Sequence, residues 1–504
     1  MSLITAHTVI LAAAVVGLTF IVNYLVQEAS RLKELPGPPS HSRIAGHALD
    51  LQLAPVGTRY PVWAKKYGHT YRIHGAFIER HLVLGDPKGI SHVLSTNAVN
   101  YIRPNTDRIV LGLWFPVRSS CSCHYYLILG LGDEHTKQRK ILNPAFTDQS
   151  IKDVSHIFRQ LADRLTQQWE TILGEQNSST FDIAVGLHAL TLDAISMSMF
   201  MHDTSTGTGS NAIPDLLHNI TNAPRGNMLI LFVGSIVSMF PCLLSLPSPM
   251  KKWATTLRGE LGRIAEGVWS GAKNDVGLDA KLLKLLSEFA LCLPAQHDER
   301  GEQLNKDEVI ANIIGVLFAG SESSANVISH LTGHPASFDD LMNPAALPYF
   351  DAVIREALRC KAVLMDIARV AVEDDVISLQ FPVVGTGATT VRVKAGQSVM
   401  IPVRDGINSD EEIWGKDARE FRPERWLSDG LPTAVAAQGM TIPLFNVFPP
   451  TLFQMVVATV IRRFSLEDTG TTLDFYHLGG NTVKPKIQGQ EGEGVQLPLR
   501  VRRL

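Results

Sequence analysis

Leu347-Pro348-Tyr349-Phe350-Asp351-Ala352-Val353-Ile354-Arg355-Glu356-Ala357-Leu358-Arg359 is the stretch on which the reading of the fold turns. Glu356 and Arg359 stand three apart, so on a helix they share a face and can pair. A pair of this kind on a solvated surface contributes only about 0.2–0.5 kcal/mol. What lies around it raises its weight. About sixty residues further on stands Phe421-Arg422-Pro423-Glu424-Arg425-Trp426, preceded by the run EIWGKDARE. Upstream, Ala319-Gly320-Ser321-Glu322-Ser323-Ser324 interrupts the apolar helical pattern VIANIIGVLFAGSESSANVIS. An acid and hydroxyls in an otherwise dry helix are what proton delivery into an apolar pocket needs, and a glycine lets a ligand approach the backbone. Further upstream, DEHTKQRKILNPAF (Asp133–Phe146) places His135 and Arg139 four apart on one helical face.

Composition fits a folded protein with a large core: 45% of the 504 residues are apolar and 19% are charged. A net charge of −3 supplies no basic field for nucleic acid. Five cysteines, at 121, 123, 242, 292 and 360, are too sparse for a disulfide framework, and the one-residue spacing of the first two is no CxxC motif. They read as reduced thiols. Val9 to Val26 is an apolar run just long enough to cross a bilayer as a helix, with Arg31 and Lys33 behind it and no basic residue before it. That polarity predicts a retained signal anchor with the bulk of the chain in the cytosol. Leu35-Pro36-Gly37-Pro38-Pro39 then predicts a stiff, extended spacer.

The remaining pattern predicts a mainly α fold with small β-sheets and no interior domain boundary. Helices are expected at Tyr60–Gly68, Pro87–Ser95, Val154–Leu173 and Trp253–Lys273. Strands are expected at Thr70–His74 and His81–Leu84, and short ones within 391–399 and 473–501. A second apolar run, Met228 to Leu246, has two readings: a further membrane span, or a buried or membrane-surface helix, to which Pro241, Ser235 and Ser238 point.

An anchor, a basic patch and LPGPP, followed by these motifs in this order, resemble a fungal microsomal cytochrome P450. LPYFDAVIREALR, EFRPERW and KILNPAF are similar to basidiomycete members in particular. The resemblance spans about residues 9 to 500. It implies a P450 fold behind an N-terminal transmembrane helix: anchor at 1–30, proline-rich linker at 31–45 and catalytic domain at 46–504. It implies that Glu356, Arg359 and Arg425 form a structural triad beneath a haem, since buried charges persist only when paired. By the same resemblance Gly320, Glu322 and Ser323 serve oxygen activation, with Ser323 where threonine is usual. His135, Arg139 and Arg369 would hold haem propionates. The implied cofactor is haem, with electrons from NADPH through a partner reductase. The chain itself shows no GxGxxG behind a strand. The implied setting is the endoplasmic reticulum membrane, and the implied substrate a lipophilic small molecule, with no nucleic-acid partner.

The sequence departs from that family at its most diagnostic point. A glycine-bounded cysteine, whose thiolate is the proximal iron ligand, belongs between EFRPERW and the next helix. The stretch here, GLPTAVAAQGMTIPLFNVFPPTLFQMVVATVIRRF, holds no cysteine, and none of the five others substitutes by position. No metal ligand is therefore assigned. VRSSCSCHYYLILGLG, at 117–132, matches nothing in the family, and HLTGHPASFDDLMNPAALPYF compresses a connection that normally includes a helix. One insertion near 117–130 and two deletions, near 330–340 and 446–450, read as mis-spliced coding sequence. The expected function is monooxygenation by a haem-thiolate enzyme of fungal secondary metabolism. The alternative is a catalytically dead relative that at most binds haem or a ligand, and a third class is an unrelated membrane-tethered helical scaffold.

Overall fold

The computed structural model describes residues 32–42, 45–75, 79–104, 147–200, 246–274, 348–362, 364–427, 450–478 and 482–504. They fall into two compact units. One takes in the described residues up to Pro104 together with Asp366–Ile407, and the other the rest. The expected anchor at Val9–Val26, the apolar run up to residue 245 and the anomalous segment at 117–130 lie outside the described residues. Among the described residues no helix is long and apolar enough to cross a membrane.

The first unit is built on a five-stranded sheet. β1 (Thr70–His74) and β2 (Arg80–Leu84) form an antiparallel hairpin, as the alternation predicts. β2 pairs in parallel with β8 (Ser398–Pro402), which pairs antiparallel with β5 (Asp366–Ala371). The two-residue β3 (Tyr101–Ile102) closes the far edge against β5. A separate hairpin joins β6 (Asp375–Ser378) to β7 (Thr390–Val393). Leu82, Val83, Leu84, Val399 and Ile401 are fully buried and make the sheet's core. The helices α1 (Ala48–Leu53), α2 (Tyr60–Tyr67) and α3 (Pro87–Ser91) belong to the same unit. Asp86 caps α3 through Gly89 N–H, and its other oxygen accepts from the Gln380 and Phe381 N–H groups, so a fully buried carboxylate is satisfied on both sides. Asp375 is likewise enclosed: His92, Asn97 and Tyr101 all reach its Oδ2, at 2.8, 3.0 and 2.8 Å. Burial would raise its pKa, but these hydrogen bonds outweigh it and hold the carboxyl at about 2.

The proline-rich segment is docked rather than a free spacer. Leu35 O accepts from Arg72 Nε at 2.8 Å and Pro36 O from Arg72 N–H at 2.9 Å, so the segment is held against β1 at Arg72. A Cβ on Gly37 would stand 2.0 Å from Arg72 O, so only glycine fits this approach. His47 secures the other end: its Nδ1 accepts from His74 N–H at 3.0 Å, which leaves the ring proton on Nε2 to donate to Pro39 O at 3.2 Å. Burial keeps that ring's pKa below its ordinary value, which suits the neutral form.

The second unit is mainly helical. α4 (Asp148–Leu173) is capped by Thr147 and stopped at Gly174 (φ 55°). Its buried Val154, Phe158, Leu161, Leu165 and Trp169 recur at helical spacing and face α5 (Ala184–Phe200) and α9 (Pro450–Ile461). Arg463 ties the end of α9 to α4 through Thr166 at 2.8 Å and Asp163 at 2.9 Å. α6 (Pro249–Asn274) and α7 (Pro348–Cys360) complete the long helices, and α8 (Glu411–Trp414) is a single turn. A three-stranded sheet sets β12 (Pro498–Arg503) between β4 (Ser178–Asp182) and β9 (Phe464–Asp468), and β10 (Leu473–Leu478) pairs with β11 (Thr482–Ile487).

Candidate functional site

The helix α7 buries Ala352, Val353, Ile354 and Ala357, and on that same face carries Glu356 and Arg359, both without solvent exposure. Arg359 grips Glu356 with two prongs, Nε to Oε2 at 2.8 Å and Nη2 to Oε1 at 2.7 Å. Its Nη1 donates to the carbonyls of Asn408 and Ala418, and Nη2 also reaches Glu420 O at 3.2 Å. The face of the guanidinium lies over Trp414, 4.9 Å from the ring centroid.

Arg425 enters from the 3-10 turn Pro423–Trp426, and its Nε donates to Glu356 Oε1 at 2.9 Å. Its Nη2 donates to Asp417 O at 3.1 Å and lies 3.5 Å from the Asp417 carboxylate. Two further donors were not legible beforehand: Arg422 N–H reaches Oε1 and the Trp426 indole N–H reaches Oε2, each at 2.9 Å. Five N–H groups, two of them from Arg359, therefore donate to Glu356. Burial pushes its carboxyl up, but the bonds from Arg359, Arg422 and Trp426 and the Arg359 charge prevail and hold it at about 2. The two buried guanidiniums face the Glu356 carboxylate, and Arg425 also faces that of Asp417, which pairs in addition with the more exposed Arg422.

Of the residues singled out in the sequence, the structure brings Glu356, Arg359 and Arg425 together. Arg369 belongs to the first unit, half-buried on β5 opposite Val399, with Nη1 donating to Ala368 O. His135, Arg139, Gly320, Glu322 and Ser323 lie outside the described residues.

The comparisons with known proteins bear on the whole chain. The sequence model of the family described as Cytochrome P450 matches residues 36–334 and 333–435. The chain belongs to the cytochrome P450 family. It is 26% identical over 525 residues to the cytochrome P450 monooxygenase claQ of Ampulloclitocybe clavipes, covering 94% of each chain. To the cytochrome P450 monooxygenase 128 of Postia placenta it is 27% identical over 535 residues, 95% of this chain and 94% of that one. The protein is thus, by family, a fungal-type monooxygenase. The match is broken at 333–334, within the compressed connection, and stops at 435, short of the stretch that should carry the cysteine. Both alignments are longer than the 504 residues of the chain, so the relatives hold residues that face gaps in it.

Family membership implies haem, and the one cysteine among the described residues does not fit its iron. Cys360 is the last cysteine in the sequence, and the only one among the described residues. Its Sγ lies 3.0 Å from Arg359 Nη2 and 3.7 Å from Glu356 Oε1, committed to the knot rather than offered to an iron. Burial pushes the thiol's pKa up, away from the thiolate an axial ligand needs. Among the described residues no cluster of His, Cys, Asp and Glu could hold a metal ion.

Proposed function

We propose that this scaffold serves the reaction of a haem-thiolate monooxygenase, inserting one oxygen atom from O2 into a lipophilic small molecule of fungal secondary metabolism. The observation that carries the reading is the buried Glu356–Arg359–Arg425 network, reached by two motifs in the family's order within a chain that the family matches from 36 to 435. Electrons would come from NADPH through a separate reductase. Residues 1–30 would anchor the chain in the endoplasmic reticulum membrane, 31–45 would link it, and 46–504 would form the catalytic domain facing the cytosol. Gly320, Glu322 and Ser323 are proposed for proton delivery, and His135, Arg139 and Arg369 for the propionates.

A second reading is favoured by one observation: no cysteine follows Cys360, so this polypeptide lacks the thiolate that the reaction requires. In its present form it is a catalytically silent relative. The gene's working product would then come from a transcript that removes 117–130 and restores coding sequence near 330–340 and 446–450. Product formation from a lipophilic substrate library, in membranes supplied with reductase and NADPH, tests both. The restored form turns over and the present chain does not. Turnover by the present chain would refute the second reading, and inactivity of both would refute the first.

A further inference from the structure

We propose that His47 is a proton-operated latch: as a neutral ring it holds the segment 35–42 on the β1–β2 hairpin, and on taking up a second ring proton it lets that segment go. Residues 1–31 are joined to the first unit through this segment, so release lengthens the tether between them.

The segment is tied down at both ends. Near its start Leu35 O and Pro36 O accept from Arg72, through a guanidinium and an amide that keep their protons near neutral pH. Towards its far end Pro39 O depends on the ring of His47, which precedes α1 and is 1% exposed. That ring fits its seat in one protonation state. Nδ1 accepts from the His74 N–H at 3.0 Å, so a proton on Nδ1 sets one donor against another. His74 O, 3.3 Å from Nδ1, offers that proton a place, but it already accepts from the His47 N–H at 2.8 Å. The His74 N–H would lose its acceptor in either case. The break therefore falls at Nδ1, and a ring that turns out of its seat takes Nε2 away from Pro39 O.

The surroundings oppose the charge as well. The ring packs against Trp63, edge-on with centroids 5.2 Å apart, and lies 5.7 Å from the ring of His74. His41 faces it from the segment itself, and around His74 on β1 and β2 stand Arg72, Arg80 and His81. Asp50 of α1 attracts the charge but pairs with Arg59 at 3.3 Å, and Glu79 pairs with His81 at 3.2 Å. Burial lowers the ring's pKa from 6.5 by more than the bonds to Pro39 and His74 and the Asp50 charge raise it. The docked form thus binds fewer protons than the released one. Docking is at full strength above pH 6.5, the ordinary value, and weakens as pH falls below it.

The test is hydrogen exchange of the full chain in detergent from about pH 8 to about pH 5, read as protection relative to the free-peptide rate at each pH. The Arg72 amide, which donates to Pro36 O, reports docking. Its protection is expected to be level above about pH 6.5 and to fall by up to about tenfold per unit below it, one proton being taken up on release. Amides of the β5–β8 ladder are expected to keep theirs. His47→Asn, which stays neutral and still offers an acceptor to the His74 N–H, is expected to abolish the fall. Gly37→Ala, which undocks the segment without touching the histidine, sets the level of the released state. A level profile in the parent overturns the latch. So does a fall that persists in His47→Asn, which would assign it to His41, His74 or His81. Should His47→Asn not fold, His41→Asn and His81→Asn are read instead: the fall must survive in both, and its loss in either overturns the assignment to His47.

Discussion

Glu356 has an ordinary pKa of 4.5 and is held at about 2 in the fold. A carboxyl depressed on folding adds stability that is fully present above its unfolded pKa and is lost as pH falls through its folded one. That contribution is on the order of 3 kcal/mol, lost between about pH 4.5 and pH 2. Urea unfolding across that window should show the parent losing stability more steeply than Glu356→Gln, whose amide has nothing to titrate. At neutral pH Glu356→Gln should cost about 3–5 kcal/mol, because it leaves Arg359 buried without its counter-charge and Arg425 with only the Asp417 carboxylate. A value near zero would mean an exposed ion pair. Trp426→Phe keeps a ring beside Trp414 but removes one N–H from a carboxylate, and should cost about 1.5–3 kcal/mol; it should have little further effect in the Glu356→Gln background. The three charged members of the knot were legible because charges three apart on a helix and an arginine in a second motif leave a mark in the sequence. The carbonyls of Asn408, Ala418 and Glu420 leave none, since every residue has a carbonyl. The indole of Trp426 could equally have been read as core.

At the scale of elements, the hairpin β1–β2 and the helix α2 follow from local alternation and spacing, and the structure finds them within a residue or so of the expected bounds. What local pattern does not carry is pairing across long separations. β4 is the polar run SSTFD and becomes a strand only because β12, some 300 residues away, lies against it. The two residues of β3 are ordered by β5 in the same way. LPGPP reads as a spacer because prolines stop a helix, yet the carbonyls they retain are acceptors, and Arg72 takes two of that segment's. Gly37→Ala should undock it. Hydrogen exchange at the Arg72 amide and proteolysis within 32–42 should both accelerate, with the β1–β2 hairpin itself still protected. Unchanged exchange would show that the contact carries no stability.

For the whole molecule, the family resemblance was legible from four motifs in order, and so was the loss at its centre. The break in the family match at 333–334 and its end at 435 fall at or before two of the three places where the sequence departs from pattern. A sequenced transcript would extend this: the account predicts an alternative form without 117–130 and with added coding sequence near 330–340 and 446–450, whereas a transcript population uniformly encoding this chain would contradict mis-splicing. The central claim is narrower, that the scaffold of a P450 persists here without its thiolate. The most direct measurement is the reduced, carbon-monoxide difference spectrum of the full chain in membranes. The account predicts no red-shifted Soret band of the thiolate type. Such a band would mean that one of the five cysteines does reach an iron, and would contradict it.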